Sequence, residues 1–562
     1  MYILGIWDGH DSGAAVIKDN EILVAINEER LTRRKLEINF PKKSVEACLK
    51  YLNLGPSDIS EIAVSTSDPA KTLARIVPST KEEYYLIRRR KKDLTYLNYQ
   101  KKRFKYKLTE LSPNRITTFL SKKIVQKELD KIGFANYSLS VIDHHISHIA
   151  AAAFCSDFKE CLVITLDGLG DGVSGTVNIF KDKKLKKVST ISAKDSFGIF
   201  FEHVTNLMNM RELEDEGKVM ALADYAYPIA DKDNPLMEFF KTEDLTIKAK
   251  YSSLDMFQKL KKILWRFPSE QFANMAQKTL EYHIIKLIKN AIADTGLKKI
   301  ALSGGVASNV KVNMMIRNLP ECEECFVFPH MGDGGLAMGA AMYRNYELNK
   351  ITNYKFESVA FGLEYSNEVI ENELKRTNLT YTKSPNPEKE TAELINQGNI
   401  VLWFQGRMEY GPRALGSRSI LALPDNLNIK DELNLKLKKR VWYQPFCPTI
   451  LLEDASTVLE DYNGHPDHFM TMAYKVRDEF KQKLIGVINI DGSCRPQLLA
   501  DNNSKYVRLL KEIKTLTGYG VLLNTSFNIH GEPLVCSPKD AIDTFISTGI
   551  KYLIIGDLIV TQ

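Results

Sequence analysis

The sequence has few of the features that mark membrane, secreted or fibrous proteins. No apolar run approaches the roughly 18–20 residues that a membrane-spanning helix requires. The 8 cysteines are scattered over 562 residues, and the close pair Cys322 and Cys325 cannot hold a tetrahedral zinc ion without further ligands. No basic leader with a cleavage site precedes the first apolar run. We therefore expect a reduced, cytoplasmic and soluble protein.

The chain also has little net charge. It contains 76 basic and 70 acidic residues, which gives a formal net charge of +6. This balance argues against a dedicated nucleic-acid coat or a membrane-surface protein, so neither a membrane nor a nucleic acid is expected as a partner. Because domains average about 150 residues, the length predicts two large or three to four small domains.

The most informative feature that is present is a pattern that occurs twice. An apolar run at residues 2–6, an Asp/Gly turn and a second apolar run at residues 14–17 form the first copy. The second copy has its apolar runs at residues 161–166 and 176–180, again around an Asp/Gly turn. Each copy predicts a strand, a turn and a hairpin. Two such hairpins are the duplication of the actin/hexokinase-like ATPase fold, although Asp-Gly hairpins also occur in other mixed folds.

Two further glycine turns each follow a strand pattern and precede a helix pattern. They contain Ser303-Gly304-Gly305 and Asp333-Gly334. Glycines at the start of a helix allow a ligand to lie against the backbone, and the helix N-terminus favours an anion. These turns favour the duplicated nucleotide-binding fold over an unrelated mixed fold.

The remaining patterns divide the chain. An apolar stripe predicts a scaffold helix at about residues 271–294. A change to short strands and polar breaks near residue 355 predicts an N-terminal domain of residues 1–355 and a C-terminal domain of residues 356–562. Residues 80–125 form a basic insertion interleaved with tyrosines. Such a segment can bind RNA, but we favour a solvated helical insertion, and an acidic substrate or partner is a further alternative.

Three of the chain's 10 histidines lie within five positions, at His144, His145 and His148. His144 and His148 share one face of a predicted helix, so their imidazoles can bind the same divalent ion, although a buried structural histidine is the alternative. The Glu of the HExxH protease motif is missing, so peptide hydrolysis is poorly supported. Asp167 and Asp333, on glycine turns, are candidate oxygen ligands. This mixture of donors suits Fe, Zn or Mn better than Mg or Ca.

The C-terminal half contains arginines in rigid turns, with hydroxyl and amide side chains nearby. Guanidinium groups bind oxyanions with two parallel hydrogen bonds, so the group predicts a phosphate site, although each residue alone could be a surface turn. The candidates are Arg413, Arg418, Lys438, Arg440, Arg495, Ser526 and Asn528.

Along essentially its whole length the chain resembles the NodU/CmcH-type O-carbamoyltransferases, which are related to the hydrogenase-maturation and tRNA threonylcarbamoyl-transfer enzymes. Many ordered motifs carry the resemblance: Gly9-His10-Asp11-Ser12, Glu28-Glu29-Arg30, Arg33 to Lys35, His144-His145-Ile146-Ser147-His148, Leu166-Asp167-Gly168, Lys218-Val219-Met220, Ser303-Gly304-Gly305-Val306-Ala307-Ser308-Asn309, Gly411-Pro412-Arg413-Ala414-Leu415-Gly416, Asn524-Thr525-Ser526-Phe527-Asn528 and Gly531-Glu532-Pro533.

The resemblance implies an actin-like N-terminal domain with a bound metal, iron in known relatives, joined to a YrdC-like C-terminal domain. The C-terminal domain would make carbamoyl-adenylate from carbamoyl phosphate and ATP, with Mg, and release pyrophosphate. The N-terminal domain would then transfer the carbamoyl group to a hydroxyl of a small molecule or sugar. A tRNA threonylcarbamoyl-transfer enzyme and an actin-fold small-molecule kinase are the alternatives.

The resemblance also assigns roles by motif. His144, His148, Asp167 and Asp333 look like the metal ligands. The residues that would line the adenylate are Gly304, Gly305 and Asn309, and Asp215 or Glu216 would lie near its ribose. The residues similar to the acceptor and carbamoyl pocket are His10, Asp11 and Lys35. The carbamoyl phosphate and ATP site would comprise Arg413, Arg418, Lys438, Arg440, Arg495, Ser526 and Asn528.

Overall fold

The computed structural model describes residues 1–89, 100, 104 and 107–562. Most of the predicted basic and aromatic cluster, from Arg90 to Tyr106, lies outside the described residues, so the alternatives for it stay predictions. Within the described part of the chain, no helix has the length and apolar character needed to cross a membrane.

The chain forms two compact units. The first contains Met1–Glu28 and Leu36–Phe356, and the second contains Glu29–Lys35 and Glu357–Gln562. The predicted contiguous division did not place residues 29–35 with the C-terminal half.

The first unit contains two five-stranded sheets that share one topology. Their strand orders are β3-β2-β1-β4-β5 and β8-β7-β6-β11-β12. In each sheet the first three strands form antiparallel hairpins and the other two run parallel to the central strand. This repetition confirms the duplicated actin-like fold. Two further strands, β9 and β10, form a separate antiparallel pair. The strands are β1 Tyr2–Trp7, β2 Gly13–Lys18, β3 Glu21–Asn27, β4 Ile59–Ser65, β5 Ser138–Ile142, β6 Cys161–Gly170, β7 Val173–Lys181, β8 Lys184–Ser192, β9 Phe240–Glu243, β10 Thr246–Ala249, β11 Lys299–Ser303 and β12 Glu324–Val327.

Helices cover these sheets. The predicted scaffold helix extends from Ser269 to Thr295, and it ends where Gly296 adopts a left-handed conformation with φ of 71°. The helices of the first unit are α1 Lys42–Tyr51, α2 Pro69–Ile76, α3 Pro78–Arg88, α4 Arg115–Asp130, α5 His144–Cys155, α6 Phe197–Leu207, α7 Glu216–Leu222, α8 Ser253–Leu264, α9 Ser269–Thr295, α10 Val310–Arg317 and α11 Leu336–Asn349.

Close packing of α11 fixes the position of α5. A Cβ atom on Gly339 of α11 would lie only 2.0 Å from the backbone oxygen of Ser147 in α5, so the two helices approach closely only because residue 339 is glycine. The N-terminus of α5 is capped by Asp143, whose side chain accepts the N–H of Ile146 at 3.0 Å. The packing and the cap together fix the first turn of α5, which begins at His144, in its place against α11.

The second unit is built on an eight-stranded mixed sheet in the order β13-β22-β21-β14-β15-β20-β16-β19, with a separate pair β17-β18. It has a core of its own, in which the fully buried Trp403 donates its indole N–H to the backbone oxygen of Gly416 at 2.9 Å. This arrangement confirms an α/β fold for the C-terminal half. The strands are β13 Thr380–Lys383, β14 Val401–Phe404, β15 Arg418–Ala422, β16 Cys447–Leu451, β17 Tyr474–Lys475, β18 Ser493–Cys494, β19 Gln497–Leu499, β20 Val521–Ser526, β21 Tyr552–Ile555 and β22 Leu558–Thr561.

Several helices flank the sheet of the second unit, and a π-helical stretch at Glu432–Leu437 precedes the Lys438–Arg440 turn. The α-helices after residue 356 are α12 Asn367–Leu374, α13 Pro387–Asn396, α14 Leu427–Asp431, α15 Ala455–Val458, α16 Asp478–Lys481, α17 Lys505–Thr517 and α18 Pro538–Thr548, and the short helix Glu29–Thr32 also belongs to this unit.

The segment Glu29–Lys35 is tied into the second unit through its arginines. Arg33 donates to the backbone oxygens of Leu534 at 2.6 Å and Pro533 at 2.9 Å. Arg30 donates to the backbone oxygen of Gly411 at 2.7 Å. These contacts explain why seven residues from near the start of the chain belong to the C-terminal fold.

Candidate functional site

The four predicted metal ligands lie together in the first unit. One ligand atom from each of His144, His148, Asp167 and Asp333 falls within 4.8 Å of all the others, and all four residues are buried. Helix α5 carries both histidines, β6 carries Asp167, and Asp333 begins a 3-10 turn after β12. Two imidazoles and two carboxylates that converge in this way match the donor set that binds transition-metal ions.

The hydrogen bonds of His148 leave one ring nitrogen free for a ligand. Ser303 Oγ donates to the backbone oxygen of Met331 at 3.2 Å, so it accepts from Nδ1–H of His148, which is 3.1 Å away. Nε2 of His148 is therefore unprotonated, and it is buried without a hydrogen-bond partner. An orphaned acceptor that faces two carboxylates fits a bound metal cation.

His144 and Asp167 form the second half of the cluster. Nε2 of His144 lies 3.2 Å from Oδ2 of Asp167, and Nδ1 lies 3.1 Å from the hydroxyl of Thr66. Burial alone would lower the pKa of His144, but the charge of Asp333 and the hydrogen bond to Asp167 raise it to about 9. Without a metal ion, His144 thus carries the positive charge that the carboxylates require, and a divalent cation can take the place of that proton.

His145 lies between these ligands in sequence but is satisfied by other groups. Its Nδ1 lies 2.8 Å from the hydroxyl of Thr165 and its Nε2 lies 3.0 Å from the backbone oxygen of Val173. Of the three clustered histidines, His145 is therefore the structural one.

His10 and Asp11 border the metal cluster, as their predicted role requires. Nε2 of His10 lies 3.2 Å from Oδ2 of Asp333, and its Nδ1 lies 3.3 Å from Asp11. The side chain of His10 is 18% exposed, against 2% for His144 and His148, so His10 is on the more open side of the cluster. Lys35, predicted for the same pocket, belongs to the second unit, and its contact with the carbamoyl group stays a prediction.

The predicted adenylate glycines are fixed by close contacts. Gly304 has φ of 97°, and a Cβ atom there would lie 2.2 Å from the backbone oxygen of Leu166. The N–H of Gly305 donates to Oδ1 of Asp167 at 2.7 Å. The glycine turn therefore holds the carboxylate of Asp167 in place, and its contact with an adenylate stays a prediction.

The other predicted nucleotide contacts are engaged with protein groups. Asn309 exchanges two amide hydrogen bonds with Gln277, at 3.1 Å and 2.8 Å. Asp215 lies 2.7 Å from Nζ of Lys218. Glu216 is held inside the protein, where burial and the charge of Glu202 raise its pKa to about 8. Contact of these residues with an adenylate stays a prediction.

The predicted phosphate-binding residues of the second unit form a cationic cluster. Burial, Arg440 and Lys35 together hold the pKa of Lys438 well below its usual range. Burial and the charge of Arg495 lower the pKa of Arg413 to about 9. Within the described ranges, no carboxylate forms an ion pair with Arg413, Lys438, Arg440 or Arg495. Cations that repel one another without a counter-ion indicate a site for a polyanionic ligand.

Each cation of this cluster is held in place by neutral groups. Nζ of Lys438 lies 2.6 Å from Oδ1 of Asn528 and 2.5 Å from the backbone oxygen of Ser526. Arg440 donates from Nε to Asn434 at 2.6 Å, while its Nη2 is buried without a hydrogen-bond partner. The site thus brings Ser526 and Asn528 to the cations and leaves a donor free for an anion.

Sequence comparisons assign this arrangement to a family. A family profile described as Carbamoyltransferase N-terminus matches residues 2–342, and one described as Carbamoyltransferase C-terminus matches residues 392–562. The chain belongs to the carbamoyltransferase family. The predicted family and enzyme class are thereby confirmed.

Several relatives of this carbamoyltransferase cover most or part of its length. An uncharacterised protein of Methanocaldococcus jannaschii is 32% identical and covers 100% of this chain and 99% of its own. The nodulation protein NolNO of Sinorhizobium fredii is 30% identical over 98% of this chain and 79% of its own. The 3'-hydroxymethylcephem-O-carbamoyltransferase of Amycolatopsis lactamdurans is 32% identical over 46% of this chain and 47% of its own. Among solved structures, HypF of T. kodakarensis aligns with a TM-score of 0.34 and 16% identity over 62% of this chain and 48% of its own.

Arg418 of the carbamoyltransferase differs from the other predicted phosphate ligands. It is fully buried, and Nη1 donates to the backbone oxygens of Gln405 at 2.8 Å and Gly406 at 3.1 Å. Its guanidinium lies 3.5 Å from the centre of the Phe404 ring. These contacts show that Arg418 stabilises the backbone around Gln405 and Gly406. Its contact with phosphate stays a prediction.

The sequence reading did not single out Glu409, which shapes the Gly411–Gly416 turn of the carbamoyltransferase. One oxygen of Glu409 accepts backbone N–H groups from Leu415 at 2.8 Å, Ser417 at 2.7 Å and Arg418 at 3.2 Å. In the sequence, the one sign of this role is that Glu409 stands just before a Gly/Pro-rich turn. Three N–H bonds to one carboxylate rigidify the loop that carries Arg413.

The basic residues at the end of α3 are buried, whereas the sequence predicted a solvated helical insertion. Arg88 is buried and pairs with Glu202 and, at 2.7 Å, with Glu212. Arg89 is buried and lies 2.5 Å from Glu214. These two arginines of the insertion therefore anchor it to the first unit of the carbamoyltransferase.

Proposed function

We propose that the protein is an ATP-dependent O-carbamoyltransferase that works through a carbamoyl-adenylate. The observation that supports this best is the pair of contrasting clusters, one of acids and imidazoles and the other of uncompensated cations. Carbamoyl phosphate, ATP and one water would give carbamoyl-adenylate, phosphate and pyrophosphate. An acceptor hydroxyl would then take the carbamoyl group and release AMP.

The second unit, which we assign to a YrdC-like domain, would carry out adenylation. Arg413, Arg440 and Arg495 would bind the phosphate oxygens of carbamoyl phosphate and ATP, since guanidinium donors match oxyanions and are not neutralised by acids here. Lys438 would keep Ser526 and Asn528 at the edge of the same site. Arg418 would support the turn beside them. Neutralising the triphosphate lowers the repulsion that an attacking carbamate oxygen meets at the α-phosphorus.

The first unit would carry out transfer. His144, His148, Asp167 and Asp333 would hold a divalent metal, with iron the first choice and zinc or manganese the alternatives. When bound, such a cation supplies Lewis-acid stabilisation of negative charge on phosphate or carbonyl oxygen. The burial of these four residues would limit the access of water to an activated carbonyl bound beside them.

Residues on the open side of the metal cluster would handle the acceptor. His10 or Asp11 would receive the hydroxyl proton, because their side chains are next to the cluster and less buried than its ligands. Lys35, although part of the second unit, keeps its predicted role with the carbamoyl group.

The nucleotide contacts follow from the glycine turn after β11. Gly304 and Gly305 would let the adenylate lie against the backbone, next to Asp167, and Asn309 would line the same ligand. Asp215 or Glu216 would accept a ribose hydroxyl. The acceptor would be a hydroxylated small molecule or sugar, the class to which the 3'-hydroxymethylcephem named by one relative belongs.

The test measures pyrophosphate release from ATP by the purified protein. We expect release only when carbamoyl phosphate is present. Formation of ADP instead would identify a kinase, and a response to tRNA alone would identify an RNA-modifying enzyme. Either result would overturn the proposal.

Two substitutions separate the half-reactions. We expect His148→Ala to abolish metal retention and acceptor carbamoylation while pyrophosphate release continues, and Arg495→Ala to block pyrophosphate release while metal is retained. His145→Gln is the matched control on α5, because its partners are Thr165 and Val173, and it should retain metal. Loss of both activities in His148→Ala, with the fold intact, would contradict the assignment of separate sites.

A further inference from the structure

The guanidinium of Arg495 already makes hydrogen bonds through the edge that binds oxyanions. Its Nη2 lies 2.9 Å and its Nε 3.2 Å from Sγ of Cys447. Nε and one Nη form the edge through which arginine binds carboxylate or phosphate with two parallel N–H bonds. The sulfur of Cys447 thus occupies the position that an anion would take on Arg495.

The surroundings of this sulfur are cationic. The side chains of Arg413 and Arg440 both interact electrostatically with that of Cys447, and Arg495 repels the same two guanidiniums. The guanidinium of Arg440 lies over the Phe446 ring at 4.2 Å, with its Nη2 buried and unpartnered. Positive charges close to a thiol stabilise the thiolate, which is the form that attacks electrophiles.

Two cysteines elsewhere in the molecule have raised pKa values and no arginine or lysine among the causes of the shift. Burial and the charges of Glu324 and Glu323 raise the pKa of Cys322 to about 12. Burial alone holds the pKa of Cys155 well above its usual range. Both are therefore expected to be unreactive, and they serve as controls within the same molecule.

We propose that Cys447 is a modifiable thiol inside the anion site of the second unit, reactive toward small electrophiles when the site is empty and shielded when an anion binds Arg495. The inference rests on the proposed anion site, and it adds a point at which oxidants or alkylating agents stop adenylation. Cys447 is 7% exposed, so only small reagents reach it.

Modification blocks the site because the new group lies where the anion binds. With iodoacetamide, an Sγ–C bond forms as the C–I bond breaks, iodide leaves with the bonding electrons, and the thiol proton passes to solvent. The added carboxamidomethyl group occupies the donor edge of Arg495. We expect the alkylated enzyme to bind inorganic phosphate weakly and to lose pyrophosphate release.

The test follows iodoacetamide labelling of the full-length protein by peptide mass spectrometry. We expect Cys447, whose sulfur contacts Arg495, to be labelled at least about tenfold faster than Cys322 and Cys155, because each unit by which burial raises the pKa of these two control thiols lowers their thiolate fraction about tenfold. Inorganic phosphate at about ten times its calorimetrically measured Kd should slow labelling of Cys447 about tenfold, because the unoccupied fraction falls in that proportion. Labelling of Cys322 should not respond to phosphate.

Two variants check the cause. Arg495→Lys keeps a positive charge but loses the two-donor edge, so labelling of Cys447 should slow and phosphate protection should weaken. Cys447→Ser should make pyrophosphate release insensitive to iodoacetamide relative to its own untreated value. Circular dichroism of each variant confirms that it folds, and the wild-type labelling experiment needs no variant.

Labelling of Cys447 as slow as that of Cys155 would overturn the proposal. Fast labelling that saturating phosphate leaves unchanged would overturn it too, because the thiol would then be outside the anion site. If labelling and protection occur but carbamoyl phosphate fails to elicit pyrophosphate, only the proposed reaction is wrong. If pyrophosphate release is normal but protection is absent, only the role of Cys447 is wrong.

Discussion

The two hairpin turns of the first unit share a topology but differ in what surrounds their aspartates. Asp8, after β1, lies 2.7 Å and 2.9 Å from two nitrogens of Arg75 and 2.7 Å from Nζ of Lys71. Asp167, at the same place in the second copy, meets the N–H of Gly305 and the imidazole of His144. Across the described residues, no lysine or arginine forms an ion pair with Asp167.

This difference shows that duplication of a fold does not duplicate its chemistry. Burial opposes ionisation of both carboxyls, yet both pKa values are held below the usual range, Asp8 by Arg75 and Lys71 and Asp167 mainly by His144. A carboxylate neutralised by permanent cations stabilises the fold. A carboxylate paired with a titratable imidazole can exchange that proton for a metal ion.

The largest expected effect comes from breaking the Asp8 pair. Asp8→Asn leaves Arg75 and Lys71 buried without their counter-charge, so the free energy of unfolding should fall by about 3–5 kcal/mol. Urea denaturation followed by circular dichroism measures the loss. Asp182→Asn, in an exposed turn, is the control and should change stability by less than about 0.5 kcal/mol. A similarly small loss of stability for Asp8→Asn would contradict the structural role assigned to Asp8 and with it the contrast to Asp167.

The second prediction concerns Asp167→Asn. The amide oxygen can still accept the Gly305 N–H, and Asp333 remains 3.6 Å from Nε2 of the buried His144 as a counter-charge, so the fold should remain stable. Loss of the negative charge should weaken metal binding by at least about 10–100-fold, the range found for the outer partners of metal ligands. Equilibrium dialysis with elemental analysis measures the affinity, with Asp182→Asn again as control. Unchanged metal retention would show that Asp167 is structural, like Asp8.

The third prediction concerns the pH dependence of protein stability, to which Asp171 in the second turn contributes. Burial and the charges of Asp143 and Asp68 raise the pKa of Asp171 to about 7, against about 3.9 in an unfolded chain. Between about pH 4 and pH 7 the metal-free folded state therefore holds a proton that the unfolded state lacks, so stability falls as the pH rises through this range. Asp171→Asn should remove that fall. Urea denaturation at pH 5 and pH 7.5 provides the measurement, and equal slopes in both proteins would contradict the assignment.

The smallest expected effect tests the groups behind the ligands. Ser303→Ala removes the acceptor that orients His148, so metal affinity should fall about tenfold with the fold retained. Thr165→Val removes the equivalent partner of His145 and should leave metal affinity unchanged. Equal losses of metal affinity in the two variants would contradict the assignment of His148 as a metal ligand and His145 as a structural residue.

The metal ligands could be predicted from sequence because their signals are local. The spacing of His144 and His148 places both on one helical face, and Asp167 and Asp333 each follow a strand at a glycine turn. The partners that select between the histidines could not be predicted in this way. Ser303 is 155 residues from His148, and only the packing of β11 against the helix brings the two together.

The same limit applies to the arginines of the second unit. A guanidinium in a Gly/Pro-rich turn looks alike in sequence whether it is free for an anion, as Arg440 Nη2 is, or bonded to backbone carbonyls, as Arg418 is. Burial and the direction of the side chain decide between these uses, and both depend on distant elements. Residue type and turn chemistry therefore predicted the cluster but not the role of each member.

The anchoring of Arg33 has a consequence for synthesis of the chain. Its hydrogen bond to Pro533 joins positions 500 residues apart, so the earliest part of the C-terminal fold leaves the ribosome long before its partners exist. Such non-local closure is slow compared with local folding. Residues 29–35 are therefore synthesised long before the rest of the unit to which they belong, and expression of residues 357–562 alone would yield a fold that lacks one of its own segments.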